Sequence, residues 1–226
     1  MGSLAMSQYH LVVFDWDGTL MDSTPDIVRA IQAACVDTGL PVPNDSQASW
    51  VIGLSLDEAL RHVTPDLSPE QRPYYLERYR HHYLKRDSEL TLFEGVLPML
   101  EDLRTKGVEL AVATGKSRVG LNRALEATGL GPYFSVTRCA DETFGKPHPG
   151  MLLEIMDVLG TAPDSVLMVG DTSHDLNMAA NAGIHGLGVS YGAHAEDELR
   201  QHPHQDILND VLSVEQWLSQ RTRRWA

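Results

Sequence analysis

The chain has 226 residues, 42% hydrophobic and 22% charged, a composition that suits a globular protein with a full core and room for an insertion. Its formal charge of −13 argues against general affinity for nucleic acid or an anionic membrane, though not against a small anion held in a local pocket. Cys35 and Cys139 are too few and too far apart for a disulfide framework or a zinc site, and no apolar run approaches the about 20 residues that span a bilayer. The N-terminus lacks the basic start and apolar stretch of a signal peptide, so the expected compartment is the cytoplasm, with reduced thiols. The first five residues read as an expression remnant and are left out of the fold reading.

The first element is the apolar run Leu11 to Phe14, which reads as a buried parallel strand. It delivers Asp15 and Asp17 into a turn at Gly18. Residues two apart in an extended chain point the same way, so both carboxylates can face one spot. Two carboxylates at a strand end suit an oxygen-ligated cation such as Mg²⁺, and one of them can attack phosphorus as a nucleophile. A turn or capping pair is the plainer reading, since Asp and Gly are ordinary turn residues.

From Met21 to Phe93 the sequence holds no convincing strand. Thr24-Pro25 opens a helix that Gly39 closes, and Ser55–Glu58 and Ser68–Gln71 have capping-box spacing, although Pro73 disturbs the second start. Tyr75, Tyr79 and Tyr83 recur every four residues and read as a core-packing stripe. Residues 61–86 hold six of the eighteen Lys and Arg, with three histidines. That cluster is a solvated face or, on a sharper reading, a rim that attracts an anionic substrate. The stretch predicts a helical bundle inserted after the first strand.

Beyond it, strands are predicted at Val108–Ala113, Tyr133–Thr137, Ser165–Val169 and His185–Ser190. Helices are predicted at Val96–Lys106, Ser117–Thr128, Pro149–Leu159 and Ser173–Asn181, with Gly129, Gly160 and Gly183 as left-handed caps after three of them. Strands alternating with helices of this length predict an α/β protein with a doubly wound, parallel, Rossmann-like sheet.

Polar residues gather at the C-terminal ends of these strands, where open α/β sheets bind ligands. Thr114 can donate a hydroxyl hydrogen bond to a phosphoryl oxygen, and the Gly115 amide at a helix start can add another. Lys116 follows directly. Lys146 precedes Pro147, which biases it towards an extended conformation, and Pro149 suits the first turn of the next helix. That places Lys146 to reach inward, whereas alone it would read as a surface lysine. Asp171 ends the fourth predicted strand, and Asp175 lies one helical turn on, on the same face. The two acids would complete a cluster around a cation; a capped helix start is the plainer reading.

Taken together, DWDGT, ATG, Lys146 and GDTSHD resemble, in order and spacing, the four motifs of the haloacid dehalogenase-like superfamily of phosphohydrolases, across residues 9–192. The helical insertion is similar to the small α-helical cap of the phosphoglycolate phosphatase-like subgroup, and Gly53 to Leu56 resembles a cap loop of that group. The resemblance implies a Rossmann-like catalytic core of residues 8–21 and 93–226 and an α-helical cap of residues 22–92. It implies that Asp15 is the nucleophile of an aspartyl-phosphate mechanism, with Asp17 as general acid and then base. Asp15, the carbonyl of Asp17, and Asp171 would hold Mg²⁺, with Asp175 acting directly or through water. Thr114, Gly115 and Lys146 would bind the phosphoryl group, and Mg²⁺ with Lys146 would offset its repulsion from the acids.

The implied substrate is a small phosphorylated metabolite, phosphoglycolate first, with sugar-phosphate mutase, pyrophosphatase and nucleotidase activities as alternatives. Asp17 argues against the superfamily's dehalogenases, which lack it. Phosphonate hydrolases lack it too and use a cap lysine, and Lys85 is the single lysine of this insertion. A phospho-accepting receiver domain shares an acid cluster, a threonine and a lysine but has no helical insertion. Selection of an anionic leaving group is expected from one of Arg61, His62, Arg72, Arg78, Arg80 and Lys85. His62, His81, His82, His148, His174 and His194 read as surface or core residues, and no signal bears on oligomeric state.

Overall fold

The computed structural model describes residues 9–85 and 91–222. The first five residues, Gln8, Arg86 and residues 223–226, which enter the divisions and charge count above, lie outside that range. Six strands form one parallel sheet: β1 (Leu11–Phe14), β2 (Glu109–Thr114), β3 (Val136–Cys139), β4 (Val166–Gly170), β5 (His185–Val189) and β6 (Ile207–Leu208). Their order is β3-β2-β1-β4-β5-β6, with Leu11 opposite Glu109 on one side and Val166 on the other.

The central place of β1 explains its unbroken apolar sequence. Val12 and Phe14 pack on one face with Leu100 and Leu103 of α5 (Val96–Thr105) and Val214 and Trp217 of α10 (Val211–Ser219). Leu11 and Val13 pack on the other with Ile155 of α7 (Gly150–Leu159) and Met178 of α8 (Ser173–Asn181). A strand covered on both faces has no polar side to alternate with. Each such fully buried side chain contributes about 1.5–3 kcal/mol relative to exposure.

Two strands depart from expectation. β3 starts at Val136 because Gly131–Tyr133 forms a 3-10 turn, in which Pro132 fixes φ and removes an N–H. β6 pairs only two residues with Gly188 and Val189, too few to leave a periodicity in the sequence. Two further helices follow β2 and β5: α6 (Arg118–Thr128), closed by Gly129, with Leu121 in the same core face as Val12 and Phe14, and the short α9 (Glu196–Leu199).

Between β1 and α5 lie four helices: α1 (Thr24–Thr38), α2 (Asp45–Trp50), α3 (Leu56–Val63) and α4 (Arg72–Leu84). Gly39 closes α1 at φ +69°, and the Ser55 hydroxyl accepts from Glu58 N–H at the head of α3. Asn44 and Gln47 cap α2 reciprocally, a box absent from the expectations above. Ser68 and Gln71 also bond reciprocally, but they close a turn before α4 rather than starting it. Tyr75 and Tyr83 are buried and Tyr79 packs beside them, Tyr75 against Ala34 and Cys35 of α1. The strands of chain entering and leaving this bundle run side by side, with Asp22 N–H on Thr91 O and Phe93 N–H on Leu20 O. Among the described residues no helix is long and apolar enough to cross a membrane.

Candidate active site

Parallel strands all end on one edge, and the polar residues singled out above meet there. Asp15 follows β1 and is still held in the ladder, its N–H on Val169 O at 2.9 Å. Lys146 comes from the loop after β3 and is fully buried, its Nζ 2.7 Å from Asp15 Oδ1 and 2.7 Å from Asp175 Oδ1. Asp175 turns its other oxygen to Thr172, accepting from the backbone N–H at 3.1 Å and the hydroxyl at 2.6 Å, which caps α8. Asp171 accepts from Thr19 Oγ1 at 2.8 Å and from Ala193 N–H at 2.7 Å. It is packed so tightly that a Cβ on Gly18 or Gly192 would fall 2.1 or 2.2 Å from its Oδ2.

Asp15, Asp171 and Asp175 thus present carboxylate oxygens within 4.8 Å of one another, all buried. Among the described residues Asp15 Oδ2 has no hydrogen-bond partner. A buried, unpartnered carboxylate oxygen beside two more acids fits a hard divalent cation, which oxygen ligands of this kind favour.

The charges are strongly coupled. Burial, opposed by Lys146 and reinforced by Asp175 and Asp17, pushes the Asp15 carboxyl up to about 7. Burial, then Asp15 and Asp175, hold Asp171 well above the usual carboxylate range. Burial works against the charge of Lys146, yet Asp15 and Asp175 outweigh it and hold the ammonium above its ordinary value.

The second carboxylate of the first motif has partners of its own. Asp17 accepts from Ser23 Oγ at 2.7 Å and is gripped by Lys116 Nζ at 2.8 and 2.9 Å. Lys116 also reaches the Tyr83 hydroxyl of α4 at 3.0 Å. Burial opposes its charge, and Asp17 with Tyr83 more than compensates, raising it. The sequence signal for this role is the place of Lys116 directly after ATG, at the same sheet edge as Asp17. Thr114 ends β2, and its Oγ1 accepts from Lys116 N–H at 3.2 Å, which leaves its proton to donate. Gly115 lies beneath the turn after α2: a Cβ there would fall 2.5 Å from Gly53 O.

Three of the six side chains expected to select a leaving group are ion-paired among α1, α3 and α4. Arg72 pairs with Asp57, Arg78 with Asp37 at 2.6 Å, and Arg61 with Glu58 at 3.5 Å. Asp37 also takes His82 at 2.7 Å. Arg61 and Arg80 line an open groove of about 870 Å³ with Ser55, Ser117, Phe144 and His148, which touches the site at Gly115 and Gly145. His174 and His194 are buried, close to Trp50.

Residues 12–189 match the family model of haloacid dehalogenase-like hydrolases. The chain is 37% identical over 210 residues to the probable phosphatase IndB of Dickeya dadantii, covering 90% of this chain and 91% of that one. It is 35% identical over 216 residues to a phosphoglycolate phosphatase of Aliivibrio fischeri, covering 91% and 92%. A crystal structure described as a predicted phosphoglycolate phosphatase of Haemophilus somnus 129pt superposes with a TM-score of 0.79 at 27% identity, over 93% of this chain and 99% of that one.

Proposed function

This chain belongs to the haloacid dehalogenase-like hydrolases and is a phosphatase, and we propose that it hydrolyses small phosphate monoesters with Asp15 as nucleophile. The observation that carries the reading is the Asp15 carboxylate: one oxygen on Lys146, the other buried without a partner at the end of the central strand. Asp15 Oδ2 attacks phosphorus, the bond to the leaving oxygen breaks, and Asp17 gives that oxygen its proton. A water then loses a proton to Asp17 and attacks the same phosphorus, releasing phosphate and restoring Asp15. Lys146, the Thr114 hydroxyl and the Gly115 N–H stabilise the phosphoryl oxygens as charge shifts among them.

Asp15, the Asp17 carbonyl and Asp171 would hold Mg²⁺, with Asp175 oriented by Thr172 and sharing Lys146. When bound, the cation neutralises the acids and polarises the phosphoryl group. Residues 22–92 act as a cap over the core of residues 8–21 and 93–226. The paired linkers at Asp22–Thr91 and Leu20–Phe93, and the contacts Gly53–Gly115 and Tyr83–Lys116, support that division. The phosphoglycolate phosphatases among its relatives make phosphoglycolate the leading substrate.

A panel of phosphorylated metabolites assayed with Mg²⁺ tests this, with phosphoglycolate expected among the fastest. Asp15→Asn should abolish turnover while keeping the fold, because the amide keeps the shape without the nucleophile. Hydrolysis by that variant, or none by the wild type on any ester, would overturn the reading.

A further inference from the structure

Trp50 is the last residue of α2, so its carbonyl is one of the helix-end acceptors left without an intrahelical donor. Two imidazoles supply donors. His174 Nε2 of α8 lies 2.8 Å from Trp50 O, and His194 Nε2, from the segment after β5, lies 3.0 Å from the same oxygen. The tautomer of His194 follows from its other nitrogen: Nδ1 accepts from Ser173 N–H at 3.1 Å, so the proton sits on Nε2. The Trp50 indole N–H donates to Glu198 Oε1 at 2.9 Å. Its ring stacks on His194 and meets His174 and His62 edge-on, with centroids 4.8 and 4.9 Å away.

The next residues, Val51 to Ser55, form the turn that carries Gly53 at φ +89°. A Cβ at Gly53 would lie 3.5 Å from Thr172 Oγ1 and 3.9 Å from Asp15 Oδ2, and its carbonyl presses on Gly115. The clasp at Trp50 therefore fixes, one residue upstream, the backbone that roofs the nucleophile. Both imidazoles come from the core and the carbonyl from the helical insertion, so the clasp joins the two parts across the site.

We propose that His174 and His194 are positioning residues: through the Trp50 carbonyl they hold the Gly53 turn over Asp15 and Gly115. Neither imidazole touches the reacting atoms, since each spends its Nε2–H on Trp50. Losing one bond lowers the fraction of molecules in the covered arrangement, and apparent affinity falls by that fraction.

The test compares His194→Phe, which removes the donor, with His194→Gln, whose amide keeps one. Backbone hydrogen exchange of the unliganded protein is read over residues 50–56. Exchange there should quicken at least about tenfold in His194→Phe and return towards wild type in His194→Gln. With p-nitrophenyl phosphate and Mg²⁺, KM should rise about three- to tenfold in His194→Phe with kcat not lowered, whereas a partly unfolded sample would lose kcat at constant KM. His174→Phe against His174→Gln repeats the comparison should the first variant fail to fold. Unchanged exchange over 50–56, equal exchange in the Phe and Gln variants, a rise shared equally by α5 and α10, or an unchanged KM would each overturn the proposal. Only the kinetic arm rests on the phosphatase reading. A wild type that cleaves no phosphate ester sinks that reading and leaves the exchange data to decide this one.

Discussion

Asp15 is asked to be ionised in a place that penalises charge. Lys146 is the protein's own answer, and it is partial, since the carboxyl still stands at about 7 against an ordinary value of 3.8. A carboxyl whose pKa is raised on folding stabilises fully below its unfolded value and loses that contribution as pH rises through the folded one. The metal-free protein should therefore become less stable between about pH 4 and pH 7 on account of Asp15. Melting curves in EDTA at pH 5 and pH 7 read this directly, and Mg²⁺ should recover the loss at pH 7 by binding only the folded form. A melting temperature indifferent to Mg²⁺ at pH 7 would count against the acid cluster as its site. Lys146→Met takes the counter-charge from two buried acids, Asp15 and Asp175, and breaking a buried pair costs about 3–5 kcal/mol. Its melting temperature should fall well below wild type at pH 7, and the gap should narrow at pH 5 as Asp15 takes up a proton.

At the scale of elements, the Gly53 turn and the start of α6 meet backbone to backbone, which gives a sharp test. Gly115→Ala would put a methyl 2.5 Å from Gly53 O, an atom unable to swing away, whereas Gly131→Ala has nothing within 4 Å. Gly115→Ala should lose about ten- to a hundredfold in kcat/KM with little change in melting temperature, since small displacements at a reacting centre are costly. Gly131→Ala should match wild type in both. On the outer side, the carboxylate of Asp37 on α1 is held below its usual range by His82 and Arg78 of α4. A depressed carboxyl contributes stability above its unfolded pKa and loses it in acid, so Asp37→Asn should melt lower than wild type at pH 7 and converge with it below about pH 4.

These elements also show what the sequence could express. β1 was legible because burial on both faces leaves an unbroken apolar run, and the four motifs because their residues need fixed offsets from strand ends. β3 was misplaced because a Gly-Pro turn looks the same whether a strand or a 3-10 turn follows it. The ion pairs of the insertion were not legible because they join different helices: Arg72 of α4 meets Asp57 of α3, and Arg78 of α4 meets Asp37 of α1. The roles of His174 and His194 depend on contacts with α2, distant in sequence, and so left no local trace.

For the molecule as a whole, β1 is first in sequence and central in space, with β2 and β3 laid to one side and β4 to β6 to the other. Asp15 therefore sits where the strand order turns, the crevice in which open α/β sheets take their ligands. The insertion leaves the chain at that same edge and so has no other place to fold than above it. The opposite edge has a different use. Tyr9 N–H donates to Arg221 O at 2.9 Å, so residues 9 and 221 are neighbours at the start of β1, a strand's length away from Asp15. Tethering the protein to a bead or a fusion partner at the exposed Gln220, next to this seam, should leave hydrolysis untouched. A chain joined there by a short linker and reopened at the exposed Gly160 turn should also refold into an active enzyme, because the cut spares both the edge that reacts and the seam that was closed.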